Sequence, residues 1–113
     1  MDSNRQQKIN RLIQKELSEL FLLETKKTHG VIVSVTGVRV TPDLSLAHAY
    51  LSIFPSEEAA DLLKNINDNV KSIRYDLGKR IAKQLRIIPD LRFHLDDSLD
   101  YIGIDPYFRK YNH

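Results

Sequence analysis

Val31-Ile32-Val33-Ser34-Val35-Thr36-Gly37-Val38-Arg39-Val40 is followed by the turn residues Thr41-Pro42-Asp43-Leu44-Ser45 and then by Leu46-Ala47-His48-Ala49-Tyr50-Leu51-Ser52-Ile53-Phe54. The first run is dense in β-branched residues, which pack well on a pleated surface. Val31, Val33 and Val35 are in phase, as are Val38 and Val40, but the two sets are out of step across Gly37. A one-residue slip sends every later side chain to the opposite face, so a bulge at Gly37 is expected. Proline cannot donate to a ladder, and it sits here among turn-forming residues. Beyond the turn, Ala47, Ala49, Leu51 and Ile53 alternate with His48, Tyr50 and Ser52. Two strands joined this way form an antiparallel hairpin. The two alanines on its inner face imply the close approach of a helix.

Outward from the hairpin, the flanking sequence is helical. On the N-terminal side, Ile9, Leu12, Ile13, Leu17, Leu20 and Phe21 recur at three- and four-residue spacing, which predicts a helix from about Ser3 to Leu23 with Ser3 as its cap. Arg5, Lys8, Arg11 and Lys15 give its first half a basic surface, and Glu19 and Glu24 reverse the sign near its end. On the C-terminal side, Pro55-Ser56-Glu57-Glu58-Ala59 reads as a helix start, with Ser56 as cap and acids in the first turn, running to about Asn67. Asn65, Asn67, Asp68 and Asn69 then compete for backbone hydrogen bonds, so an interruption is expected there. A further helix follows, with Val70, Ile73, Leu77 and Ile81 on one face. Lys79, Lys83 and Arg86 fall nearly opposite that face at 100° per residue, with Lys71 and Arg80 on its flanks. Ile88-Pro89-Asp90 ends the helix, and Leu91-Arg92-Phe93-His94-Leu95 alternates as a third strand. The order α-β-β-α-α-β is that of an α+β domain, a three-stranded sheet covered by helices on one face. Residues 1–98 form the expected domain. Residues 99–113, with Tyr101, Tyr107, Phe108 and Tyr111, form a short tail that either docks or frays.

Composition bounds the function. A chain of 113 residues with 42% apolar and 28% charged residues holds one core. It contains no cysteine, which excludes disulfides, thiolate catalysis and thiolate zinc sites. The uncharged stretches Thr28 to Val38 and Leu44 to Ser56 are too short to span a bilayer. Met1 to Gln7 carry no apolar signal region, so a cytoplasmic location is expected. The net charge is only +2, but residues 69–92 carry seven basic side chains against Asp76 and Asp90, which makes that stretch +5 and the remainder −3. Such a dipolar distribution steers a molecule toward polyanions.

The sequence contains no GxxxxGK[ST], GxGxxG, HExxH or GxSxG. Asp96, Asp97 and Asp100 read as solvated carboxylates rather than a metal site. His48 and His94 fall on the outward strand faces, where they can meet across the sheet, but a histidine pair without a third ligand does not make a zinc site. No enzyme, metal or cofactor is expected. What remains is the interrupted helix pair: a helix that restarts exposes backbone N–H groups that favour phosphate, and nearby lysine and arginine add affinity for a nucleic-acid backbone. KH domains use this device through a GXXG loop, whereas this chain has Asp68-Asn69-Val70-Lys71.

Several runs together resemble one family. They are Val33 to Leu44 continuing through Ala47 to Ser52, then Ile73-Arg74-Tyr75-Asp76-Leu77-Gly78-Lys79-Arg80, Leu85-Arg86-Ile87-Ile88-Pro89-Asp90-Leu91-Arg92-Phe93, and Asp96-Asp97-Ser98-Leu99-Asp100-Tyr101. In order and spacing they closely resemble ribosome-binding factor A, over nearly everything from Arg5 to Tyr101. The resemblance implies a type II KH-like fold and a bacterial, cytoplasmic factor that binds the free small (30S) ribosomal subunit. It further implies assistance with late maturation, including processing of the 5′ end of 16S rRNA, most needed in the cold, by binding rather than catalysis. The family commonly carries an Ala-X-Gly kink between its last two helices, and the corresponding positions here are Asn69, Val70 and Lys71. Longer family members add an extended tail whose role is not carried over. The expected rRNA-binding residues are Asn69, Lys71, Ser72, Lys79, Arg80, Lys83 and Arg86, with Arg5, Lys8 and Arg11 extending the footprint. The chain is expected to act as a monomer without a small-molecule substrate. A protein-interaction or dimerisation module without RNA affinity is the alternative. A small α+β hydrolase would require convergent carboxylates or histidines in a cleft.

Overall fold

The computed structural model describes residues 3–25 and 30–96. Helix α1 spans Asn4–Thr25, strands β1 and β2 span Ile32–Val40 and Leu46–Phe54, helices α2 and α3 span Ala59–Asp68 and Val70–Ile81, and strand β3 spans Asp90–Leu95. The sheet order is β1-β2-β3, with β1 antiparallel to β2 and β3 parallel to it. The sheet is therefore mixed: the α2–α3 crossover returns the chain to run β3 alongside β2, as a parallel pair requires.

The hairpin register pairs Val35 with Leu51 and Gly37 with Tyr50, leaving Thr36 as the extra residue of the expected bulge. The Thr36 hydroxyl donates to the Tyr50 carbonyl at 3.2 Å and also meets the Asp96 carboxylate. In the turn, Leu44 N–H donates to the Thr41 carbonyl at 2.8 Å, and Leu44 takes a left-handed φ of 62°. Asp43 accepts from the Thr41 hydroxyl and from the Ser45 hydroxyl and N–H, and these bonds hold its carboxyl below the usual range.

The inward strand residues Val33, Val35, Val38, Val40, Ala47, Ala49, Leu51, Ile53, Leu91 and Phe93 are buried against Ile9, Ile13, Leu17 and Phe21 of α1 and Leu77 and Ile81 of α3. The helices thus cover one face of the sheet, and both alanines are fully buried beneath them. Phe21 meets Phe93 edge-to-face at 5.7 Å, joining α1 to the far strand.

Ser3 caps α1 in a reciprocal box: its hydroxyl accepts from the Gln6 N–H at 3.1 Å, and the Gln6 side chain accepts from the Ser3 N–H at 3.0 Å. Ser56 does not cap its helix. It opens a single 3-10 turn over Ser56–Glu58, closed by Glu58 N–H to the Pro55 carbonyl at 3.1 Å, and α2 begins only at Ala59 with no side-chain cap. Pro55 enters extended, with ψ 155°, so the chain tightens before it settles into the α-helix.

Candidate nucleic-acid interface

The interruption falls on one residue. Asn69 leaves helical geometry at φ −108° and ψ 22°, between the end of α2 and the start of α3. This is the right-handed bridge region, not the left-handed one. Its amide nitrogen donates to the Asn65 side-chain and backbone oxygens at 2.9 and 2.8 Å, so its side chain closes the end of α2. No side chain caps α3.

Past the kink, Lys71, Tyr75 and Lys79 stand at four-residue spacing on α3, and all three are exposed. They form one line along the helix, roughly 12 Å long at 1.5 Å per residue. The Lys79 ammonium lies 5.0 Å from the centre of the Tyr75 ring, a cation–π contact. Sequence reading passed over Tyr75 as a site residue, although its spacing from both lysines was visible.

Lys83 and Arg86 are exposed but are not on the helix, which ends at Ile81. The chain turns there, with Gln84 and Leu85 N–H groups donating to the Ile81 carbonyl at 2.9 and 2.8 Å. Leu85 and Ile88 pack back onto the core, and Arg74 holds the returning segment by donating to the Ile88 and Pro89 carbonyls at 2.6 and 3.1 Å. The two charges therefore sit on the turn that follows α3 rather than on a helical face.

Arg80 is committed elsewhere: its guanidinium pairs with Glu16 of α1 at 3.2 Å in a largely buried setting. Arg5, Lys8 and Arg11 are exposed on the first half of α1. They precede Glu16, where α1 meets the end of α3 through Arg80. Asn69 and Ser72 face a different setting. They line a cavity of about 440 Å3 floored by Leu20, Phe21 and Ile66, with Glu24, Glu58 and Asp76 among its walls. The basic charge thus concentrates at the C-terminal end of α3, and acidic groups collect near the kink.

His48 and His94 do meet on the open sheet face, with Nδ1 of the first 2.9 Å from Nε2 of the second. Burial, followed by the nearby His48 and Arg92, lowers the His94 pKa below the ordinary imidazole value. Among the described residues, no group of three or more His, Asp or Glu side chains is placed to hold a metal ion. No described helix is long and apolar enough to cross a membrane. Asp97, Asp100 and the aromatic residues of the tail lie outside the described residues.

Against known families, residues 5–103 match the sequence model of ribosome-binding factor A. The chain belongs to that family. It is 47% identical over 108 residues to ribosome-binding factor A of Christiangramia forsetii, spanning 92% of this chain and 82% of that one. It is 50% identical over 102 residues to that of Cytophaga hutchinsonii, spanning 89% and 77%. The fold agrees with the crystal structure of ribosome-binding factor A from Thermus thermophilus, at TM-score 0.63 and 21% identity over 80% of this chain and 94% of that one. It also agrees with coordinates of the Thermus thermophilus factor fitted into a cryo-electron-microscopy map of its complex with the 30S subunit, at TM-score 0.62 and 22% identity over 76% and 89%. At those identities the structural likeness concerns the α-β-β-α-α-β fold, which the sequence periodicity predicts on its own.

Proposed function

We propose that this chain binds the free 30S subunit through its 16S rRNA, in the bacterial cytoplasm, as a monomer and without a cofactor or chemical step. It assists late maturation of the subunit, including processing of the 16S rRNA 5′ end. Family membership supports the partner. The observation that carries the mechanism is the exposed line of Lys71, Tyr75 and Lys79, followed on the next turn by Lys83 and Arg86. Lysine supplies point charge to phosphates, arginine clamps them bidentately, and an exposed tyrosine offers a ring to an unpaired base. Asn69 and Ser72, which line the acid-walled cavity beside the kink, border this surface at the Lys71 end, Arg80 supports it through Glu16, and Arg5, Lys8 and Arg11 extend it. Residues 1–98 are the binding unit, with 99–113 as its tail. Binding of this kind stabilises the rRNA arrangement that fits it best, which shifts a population without any bond being made or broken.

Sedimentation with free small subunits and with complete ribosomes, at low and high salt, tests the reading. The expected result is comigration with the free small subunit, weakened by salt and by neutralising Lys79, Lys83 and Arg86 together. A complex indifferent to both treatments, or none at all, overturns it.

A further inference from the structure

The cavity beside the kink is built unlike the surface that carries the basic line. Its floor is apolar, with Phe21 of α1, Val33 of β1 and Ile66 of α2 buried and Leu62 and Ile73 half-buried at its sides. Its volume of about 440 Å3 lies in the range of ligand-binding pockets. Three carboxylates stand around it, each from a different element: Glu24 on the last turn of α1, Glu58 in the 3-10 turn before α2, and Asp76 on α3. Glu24 is already engaged. Glu58 and Asp76 are exposed and, among the described residues, enter no ion pair.

Such a place disfavours phosphate, because the carboxylates repel it and the apolar floor offers it no donor. A carboxylate does not leave water for apolar surroundings without a cation, so Glu58 and Asp76 stay at the rim. A lysine or arginine side chain suits both parts at once: its methylene stem lies along apolar surface while its charged head reaches the rim. A bulky apolar side chain next to it in sequence would cover the floor and remove that surface from water. Charge and shape together therefore fit a basic segment with an apolar anchor. Proteins that sit on RNA carry basic segments, since their lysines and arginines neutralise phosphates.

We propose that this cavity is a docking site for a basic protein segment, in which lysine or arginine pairs with Glu58 and Asp76 and a neighbouring bulky apolar side chain rests against Phe21, Val33 and Ile66. The proposal rests on the small ribosomal subunit being the partner, a particle of RNA and the proteins that coat it, and it adds a second kind of contact to the first. The line along α3 takes RNA, and the cavity takes protein. A factor with both contacts recognises a place where the two lie together, so its binding depends on whether that protein is already in position. A binder of RNA backbone alone cannot make that distinction.

The test is titration of the full-length, isotope-labelled chain with a short lysine-rich peptide carrying one phenylalanine, following backbone amide resonances. We expect the amides of Phe21, Val33, Ile66 and Ile73 to move as a set while those of residues 79–86 stay still. Replacing the peptide's phenylalanine by serine should weaken binding about tenfold, and so should Glu58→Gln with Asp76→Gln in the chain. The double variant should bind a short RNA duplex no more weakly than the parent, which separates the cavity from the RNA surface. Amide resonances unchanged away from the two substitutions, before peptide is added, verify that the variant is folded. A peptide that moves none of these amides, or that binds the double variant equally well, overturns the docking site and leaves the RNA reading standing. Loss of comigration with small subunits while the peptide still docks overturns the proposed function instead and sustains the cavity as a site. Movement of the same amides in Tyr107→Ala with Phe108→Ala, with no peptide present, would give the cavity to the chain's own tail and overturn the proposal. Movement on simple dilution would give it to a second copy, with the same consequence.

Discussion

The Asn67 side chain donates to the Phe93 carbonyl and accepts from the Phe93 N–H, both at 3.1 Å, across 26 residues of sequence. Asn69, two residues on, spends its amide nitrogen on Asn65 within the same turn. Phe93 lies on an edge strand, and its N–H and carbonyl point away from β2, so Asn67 is their partner. Asn67→Ala should cost about 1–3 kcal/mol, because it strips a donor and an acceptor at once. It should lower the urea midpoint at unchanged slope. Asn69→Ala is exposed and local, and should stay within about 0.5 kcal/mol of the parent. The run of asparagines made the interruption legible, because such side chains disfavour helix interiors. It hid the role of Asn67, whose partner is defined only once β3 is placed. His94 carries a pH signature of its own. Its folded pKa lies below the ordinary value of 6.5, first through burial and then through His48 and Arg92. The unfolded chain therefore takes up that proton first as pH falls, and stability drops below about pH 6.5 until the folded imidazole also titrates. Unfolding midpoints between pH 5 and 8 should show this slope in the parent, and His94→Asn should flatten it.

At the scale of elements, α1 does more than bury an apolar stripe. Gln6, Asn10 and Gln14 follow one another at four-residue spacing and all reach β1. Gln6 donates to the Val40 carbonyl at 3.2 Å, Asn10 accepts from the Val40 N–H at 2.8 Å, and Gln14 donates to the Val35 carbonyl at 3.3 Å. Since β1 is an edge strand, these carboxamides satisfy backbone groups that would otherwise invite another strand. Asn67 does the same at the β3 edge, so helices close the sheet on both sides. Periodicity made the helix and its core face readable, and Ser3 was readable as its cap. The amide row was not, because polar residues at helical spacing look the same whether they face water or a strand edge. Gln6 is the informative case, being a buried polar residue at the helix start. Gln6→Leu keeps the bulk but removes the side-chain half of the capping box and the bond to the Val40 carbonyl. We expect a loss of about 1–3 kcal/mol in urea unfolding, together with faster hydrogen exchange at Ser3, whose N–H donates to the Gln6 side chain. Asn10→Ala should speed exchange at the Val40 amide, and exchange unchanged there would count against edge closure by α1.

Over the whole molecule, the basic residues of the 69–92 stretch divide by what the fold has already used. Arg74 ties down the Ile88 and Pro89 carbonyls, and Arg80 bonds Glu16 on α1, 64 residues away. Lys71, Lys79, Lys83 and Arg86 stay exposed on the outer surface. Charge counting places all of them in one cluster, and only the tertiary partners separate the structural cations from those open to a polyanion. Two double variants with the same change in charge distinguish the groups. Lys79→Gln with Lys83→Gln should leave the melting temperature nearly unchanged and lower the salt slope of small-subunit binding by about 2. Arg74→Gln with Arg80→Gln should leave that slope in place and cost roughly 1–2 kcal/mol of stability, the lower part of the range for bonds to charged groups because both side chains are partly exposed. Equal loss of slope in the two variants would mean that the subunit senses only net charge. A slope lost with the lysines alone would mean that it senses where the fold has placed them.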